Sequence, residues 1–133
     1  MTLAAGDKAP SFKLTTDEGE AISGSALKGA PYVVYFYPKD DTSGCTKEAI
    51  AFSQKLKQFE KAGVRVIGVS KDSLESHAKF RKKHKLTLTL GSDPDIKMAE
   101  AWGVWGEKTL YGRKYMGMER ATFLVNARGV IVQ

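Results

Sequence analysis

Cys45 closes the stretch Pro38-Lys39-Asp40-Asp41-Thr42-Ser43-Gly44-Cys45 and is the only cysteine among 133 residues. Its thiolate is the form that attacks electrophilic oxygen or sulfur. One cysteine forms no intrachain disulfide and no all-cysteine metal site, so a reducing compartment is the expected home. The flanks say how the sulfur is held. Tyr32-Val33-Val34-Tyr35-Phe36-Tyr37 is an unbroken β-branched and aromatic run, which reads as a strand buried on both faces and ended by Pro38. Downstream, Ala49, Phe52, Leu56 and Phe59 recur at three- and four-residue spacing with lysines and Glu60 between them, which predicts an amphipathic helix over roughly 43–62, stopping at Gly63. Asp41, Thr42 or Ser43 is a suitable N-cap. If Thr42 is the cap, Cys45 lies in the first turn, where unpaired N–H groups and the helix dipole push a thiol towards thiolate.

The remaining chemistry-bearing residues carry weaker signals. His77 and His84 are expected at the surface or its boundary, and two histidines with one cysteine at these spacings match no metal site. Trp102 and Trp105 read as core and loop packing. Gly103 and Gly106 frame a turn and not a phosphate loop, since no Gly-Lys-Ser/Thr follows. The net charge of +6 and the cluster Lys79, Arg81, Lys82, Lys83, His84 and Lys85 invite a nucleic-acid reading. Without interleaved aromatics, the cluster reads better as the solvated face and C-terminal turn of a helix.

Around these residues the elements follow in order. Residues 1–133 are expected to form one domain, with no signal or spanning segment and a cytoplasmic location. Phe12-Lys13-Leu14-Thr15, a turn at Asp17-Glu18-Gly19-Glu20, and Ala21-Ile22 predict a small hairpin at one end of the domain. After the Cys45 helix, Val64–Ser70 is a second strand, and strand, helix and strand make a βαβ unit with parallel strands. Asp72 or Ser73 opens another helix with Leu74, His77, Ala78 and Phe80 on one face. Leu86, Leu88 and Leu90 then alternate as a half-exposed strand. Ser92-Asp93-Pro94-Asp95 starts a short helix with proline near its first position, ended by Gly103. The glycine-rich, charged segment 106–117 reads as a loop, and Arg120–Val125 with Val130–Val132 as a final hairpin across 126–129.

Pro-x-x-x-Thr-x-x-Cys at the end of a buried strand and the start of a helix resembles the peroxidatic-cysteine motif of the peroxiredoxins. The wider Tyr-Pro-Lys-Asp-Asp-Thr-Ser-Gly-Cys-Thr-Lys-Glu-Ala resembles their bacterioferritin-comigratory-protein (PrxQ) branch, and the likeness runs from Gly6-Asp7-Lys8-Ala9-Pro10 through Val66–Ser70 to Arg120-Ala121-Thr122-Phe123-Leu124. The resemblance implies an α/β thioredoxin-like fold with the peroxiredoxin N-terminal hairpin. It also implies a closing C-terminal helix, which a sequence ending at Gln133 is expected to lack, leaving one sheet face exposed.

For function, the resemblance implies a thiol-dependent peroxidase acting on hydrogen peroxide and organic hydroperoxides, with no cofactor and no metal. Cys45 would be the nucleophile, the Thr42 hydroxyl and nearby backbone N–H groups would bind the peroxide oxygens, Arg120 would stabilise thiolate and transition state, and Pro38 would shield the sulfur. Glu48, one turn after Cys45, would hold an arginine by a charge-assisted hydrogen bond. Lowering a thiol pKa from about 8.5 to about 6.5 raises its thiolate fraction at pH 7.4 only about twelvefold. Contacts to the O–O bond must therefore supply most of any large rate.

As the branch aligns, its resolving cysteines correspond to Ile50, Arg81 or Ala99, none of which is cysteine here. The expected type is therefore 1-Cys, reduced by thioredoxin, by glutaredoxin with glutathione or by a small thiol, in a monomer or weak homodimer; the alternative is a replaced resolving cysteine. A competing function class is a redox-inactive thioredoxin-like binding module that uses the basic face. A disulfide reductase of the Cys-x-x-Cys kind is disfavoured, because Thr46, Lys47 and Glu48 follow Cys45.

Overall fold

The computed structural model describes residues 3–27, 29–40, 43–110, 112–118 and 120–132. Strand β3 (Tyr32–Phe36) is buried at all five positions. Alternate strand side chains point to opposite faces, so a run with no polar position has two faces to cover. Val33, Tyr35 and Tyr37 pack with Cys45, Ala49, Val66 and Phe80 on one side, and Val34 and Phe36 with Ile67, Val69, Trp102 and Phe123 on the other. This places β3 inside the sheet. It pairs parallel with β4 (Arg65–Ser70) and antiparallel with β8 (Ala121–Val125).

β5 (Thr89–Ser92) continues the sheet parallel to β4, and β1 (Lys13–Thr16) joins β5 antiparallel, with β2 (Ala21–Ser23) outermost. The order is β2-β1-β5-β4-β3-β8. The N-terminal hairpin thus stands at one end, as expected, where it forms the outer edge of the main sheet. A helical turn, α1 (Gly24–Leu27), leads from it towards β3.

The expected βαβ unit is present, but its helix is divided at Lys55 into α2 (Ser43–Gln54) and α3 (Leu56–Lys61). The Lys55 carbonyl receives the N–H of both Gln58 and Phe59, which tightens that turn while Phe52, Leu56 and Phe59 stay on the sheet side. Helix α4 (Leu74–His84) is capped by Ser73, whose side chain accepts from the Ser76 N–H at 3.1 Å. Its inner face is not the expected one. His77 and Phe80 are buried, whereas Leu74 is 38% exposed and Ala78 is exposed. Arg81 explains the rotation: its guanidinium bonds both Asp17 oxygens (2.6 and 3.1 Å) and the carbonyls of Leu86 and Leu88. The cluster read as a solvated face therefore contains one structural clamp, binding α4 to the β1–β2 turn.

Three further expectations need correction. The strand after α4 is Thr89–Ser92 and fully covered from Leu90 on, although Leu86 and Leu88 are buried alternately with exposed Thr87 as the pattern required. Helix α5 (Lys97–Ala101) begins after Ile96, not near Pro94, because both Asp93 oxygens accept from the Met98 and Ala99 N–H groups (3.2 and 2.9 Å). The segment read as a loop is a two-stranded ribbon, β6 (Trp105–Leu110) with β7 (Arg113–Met118). Its base is anchored by buried Met118 opposite Trp105, while its backbone ladder needs no apolar alternation. The final hairpin holds, with its return strand reduced to the Val125–Ile131 bridge and the Val132 N–H bond to Leu124.

Beside α2 and α3 the sheet carries an apolar groove of about 550 Å³ lined by Val33, Phe52, Phe59, Val64, Thr122 and Leu124. Among the described residues no helix is long and apolar enough to cross a membrane.

Tyr35 lies directly over Gly68 of β4, where an added Cβ would meet its ring and hydroxyl at 2.7 Å. The ring is 1% exposed and stacked on Phe52 at 4.6 Å, so it has nowhere to move. Gly68→Ala is expected to lower stability by about 1–3 kcal/mol through overpacking. Urea unfolding midpoints compare the two proteins.

Candidate active site

Cys45 is the third residue of α2 and is 1% exposed. This is the first-turn placement expected from the sequence. The antiparallel register pairs Phe36 with Ala121, so the residue before β8, Arg120, falls beside the chain leaving β3. Its Nη2 donates to the Cys45 sulfur at 3.4 Å. The same Nη2 would lie 3.1 Å from a Cβ on Gly44, so a side chain there would crowd the guanidinium. The Arg120 side chain as a whole is 44% exposed, whereas Cys45 is buried.

Glu48, one turn on, lies 3.7 Å from Arg120 Nη1. That is an ion pair without the hydrogen bond expected from sequence, and Glu48 Oε1 has no hydrogen-bond partner. Burial raises the Glu48 pKa, and the Arg120 charge offsets this only in part. Tyr35 Oη, below α2, is buried and likewise lacks a partner. Burial first, then the charges of Glu48, Cys45 and Asp40, push its phenol far above the usual range and keep it protonated.

Pro38 is half-buried between buried Tyr37 and exposed Lys39, directly after β3. Thr42 and Asp41 lie outside the described residues. Of the four residues singled out for catalysis, the structure brings Cys45 and Arg120 into contact and places Pro38 on the same connection.

The sequence reading missed a buried polar cluster on the other side of that connection. Asp40, 6% exposed, accepts from Tyr37 Oη at 2.5 Å, from Ser76 Oγ at 2.9 Å and from His77 Nδ1 at 2.6 Å. The second His77 nitrogen reaches the Gly91 carbonyl at 2.9 Å. His77 is completely buried, which corrects its expected place at the surface. The backbone N–H of Asp40 also donates to Asp72 Oδ2 at 2.7 Å, itself bonded by Ser70 Oγ. A signal existed in the sequence: the periodicity that placed His77 on one face with Phe80. His84, half-buried against the Phe80 ring, stays at the boundary as expected.

A mixed sheet with a lone thiol at a helix start, touched by an arginine at the entry to the neighbouring antiparallel strand, is the arrangement of a thioredoxin-like thiol peroxidase. The AhpC/TSA family model matches residues 5–133, and the chain belongs to that family, the peroxiredoxins. It is similar to the putative peroxiredoxin Bcp of Coxiella burnetii, 51% identical over 98% of this chain and 87% of the relative. Peroxiredoxin Bcp of Bacillus subtilis is 45% identical over 100% of this chain and 85% of its own length. Among solved structures, the Xanthomonas campestris bacterioferritin comigratory protein, described in trapped intermediate and ligand complexes for its alkyl peroxide reduction activity, superposes with a TM-score of 0.89. It is 38% identical, over 98% of this chain and 85% of that one.

The raised Glu48 pKa has a consequence for stability. A carboxyl whose folded-state pKa is raised supports folding fully below its unfolded value, near 4.5, and withdraws that support as pH rises through the folded value. Glu48→Gln keeps the shape and cannot ionise. It is expected to be more stable than wild type near pH 7, with the difference closing towards pH 4, as read from urea midpoints at both pH values.

Proposed function

We propose that the chain reduces hydrogen peroxide and organic hydroperoxides through Cys45 as its peroxidatic nucleophile, as a single-cysteine enzyme with an external thiol reductant. The observation that carries this reading is the 3.4 Å contact from Arg120 Nη2 to the Cys45 sulfur in the first turn of α2. An inert core cysteine has no reason to draw a guanidinium across from another strand. Alkyl peroxide reduction by the Xanthomonas relative supports the substrate class.

The thiolate attacks one peroxide oxygen, the O–O bond breaks, and the second oxygen leaves as alkoxide or hydroxide and takes a proton. Sulfur is left as sulfenic acid. Arg120 balances the thiolate charge beforehand and the charge spread over both oxygens in the transition state. Thr42 and the α2 backbone N–H groups orient the peroxide, and Pro38 limits water at the sulfur; these roles rest on the family motif.

An external thiol then attacks the sulfenic sulfur, releasing water and forming a mixed disulfide, and a second thiol regenerates Cys45. Thioredoxin, glutaredoxin with glutathione, or a small thiol fits that role. The three positions that would hold a resolving cysteine are occupied otherwise: Ile50 packs against the α2 side of the core, Arg81 is clamped by Asp17, and Ala99 is fully buried. The cytoplasm, a single domain and a monomer or weak homodimer complete the proposal.

Stopped-flow fluorescence of the reduced protein with hydrogen peroxide is expected to show a fast change that Cys45→Ser abolishes, with intact mass gaining one oxygen. Reaction no faster than a free thiol would overturn the assignment and favour the binding-module reading. Arg120→Ala is expected to remain well below wild type at pH 9, where a thiol is largely ionised in any case. Full recovery of the rate at that pH would reduce Arg120 to a modulator of thiolate fraction.

A further inference from the structure

The Asp40 cluster is not used by the chemistry above, yet it is built into the connection that presents Cys45. Asp40 stands five residues before Cys45, and its side chain is tied to α4 through Ser76 and His77 while its backbone is tied to Asp72. His77 faces an acceptor at each nitrogen: the Asp40 carboxylate at 2.6 Å and the Gly91 carbonyl at 2.9 Å. A neutral imidazole has one N–H and would leave one of those oxygens opposed by a lone pair. The geometry is that of an imidazolium with both protons placed.

We propose that His77 is a positioning residue for the peroxidase reaction: as an imidazolium held between Asp40 and the Gly91 carbonyl, it fixes the β3–α2 connection against α4 and so sets the seat of Cys45. The proposal rests on the reading of Cys45 as the peroxidatic nucleophile. Arg120, just before β8, acts on the Cys45 sulfur directly, and the His77–Asp40 pair acts on its position through the chain that leads to it.

The surroundings support this assignment from every side. The connection after β3 contributes Asp40 and Tyr37, whose ring lies 6.3 Å from the imidazole, the end of β4 contributes Asp72, β5 contributes the Gly91 carbonyl, and α4 itself adds the Ser76 hydroxyl, which donates to Asp40. Tyr37 stays a protonated donor, because burial and then Asp40 drive its pKa far upward. Burial alone would lower the His77 pKa. The Asp40 hydrogen bond and charge, the Gly91 carbonyl and the Asp72 charge outweigh it, so the value stands above the usual 6.5.

The sign follows directly. A histidine with a raised folded-state pKa contributes fully below about pH 6.5 and is lost as pH rises through its folded value. The thiolate, in contrast, only gains with pH. The wild-type rate with hydrogen peroxide should therefore rise with pH and then fall across the His77 titration.

Two measurements on the intact protein test this together: the pH profile of the second-order rate with hydrogen peroxide, and the titration of the His77 ring by NMR, with only His84 beside it. The fall in rate is expected to coincide with the ring titration. Asp40→Asn removes the counter-charge and is expected to move both to lower pH by the same interval. His77→Gln is expected to lose the falling limb and to lower the rate roughly 10- to 100-fold, the scale of an ångström-level misplacement. Its alkylation by iodoacetamide, which needs no oriented O–O bond, should change by only a few fold.

A wild-type rate that rises to a plateau straight through the ring titration overturns the proposal, and so does a fall that fails to move with the ring in Asp40→Asn. That result needs no variant at position 77 to fold. If Cys45→Ser keeps its peroxidase activity, the site reading fails and this proposal with it. If Cys45→Ser is inactive and the falling limb is absent, only the role of His77 fails.

Discussion

Strand β3 has no residue that can face water, and that constraint organises the molecule. Both of its faces must be covered, so it is driven inside the sheet between β4 and β8, with α2 laid over Val33 and Tyr35. The helix that covers it starts where the strand ends, which puts the first turn of α2, with Cys45, at that end. The antiparallel partner on the other side arrives in a register that delivers Arg120 to the same place. One packing requirement therefore sets both members of the 3.4 Å sulfur–guanidinium contact. Gly68 shows how tightly the requirement is met, since the ring of Tyr35 occupies the space its side chain would take.

Helix α4 is docked by different physics. Its inner face carries one large apolar residue, Phe80, among His77, Arg81 and His84. What holds it are two buried side-chain contacts, the hydrogen bond of His77 with Asp40 and the ion pair of Arg81 with Asp17, whose carboxyl groups are 3% and 2% exposed at their side chains. Desolvating such groups is costly, and removing one partner from a buried pair typically costs about 3–5 kcal/mol because the other is left uncompensated. These contacts are directional where apolar packing is not. They tie α4 to the β1–β2 turn at one end and to the Cys45 connection at the other, so the helix fixes the register between two parts of the chain that share no backbone ladder.

The parts legible in the sequence are those whose information is local. An uninterrupted apolar run, a 3.6-residue period and a proline between them were enough for β3, α2 and the first-turn placement of Cys45, because each follows from residues within one or two turns of one another. The parts that were not legible depend on distant partners. The β6–β7 ribbon is glycine-rich and charged, and its stability lies in a backbone ladder that any side chains can make. His77 reads as a surface residue until Asp40, 37 residues earlier, is folded against it. Leu74 reads as a core position until Arg81 turns the helix by bonding to Asp17, 64 residues away.

By itself the sequence determined the class of chemistry: one thiol, at the start of one helix, after one strand that has to be buried, in a pattern shared with the peroxiredoxins. It also named Arg120, but only by likeness, since an arginine at the start of a strand carries no local sign of its target. Only the tertiary structure decided that its guanidinium reaches the sulfur, that Glu48 meets it as an ion pair without a hydrogen bond, and that a buried imidazole meets Asp40. The reason is the same in each case. A hydrogen bond between side chains far apart in the chain is fixed by strand register and helix rotation, which arise from the summed packing of the whole core and leave no local period to read.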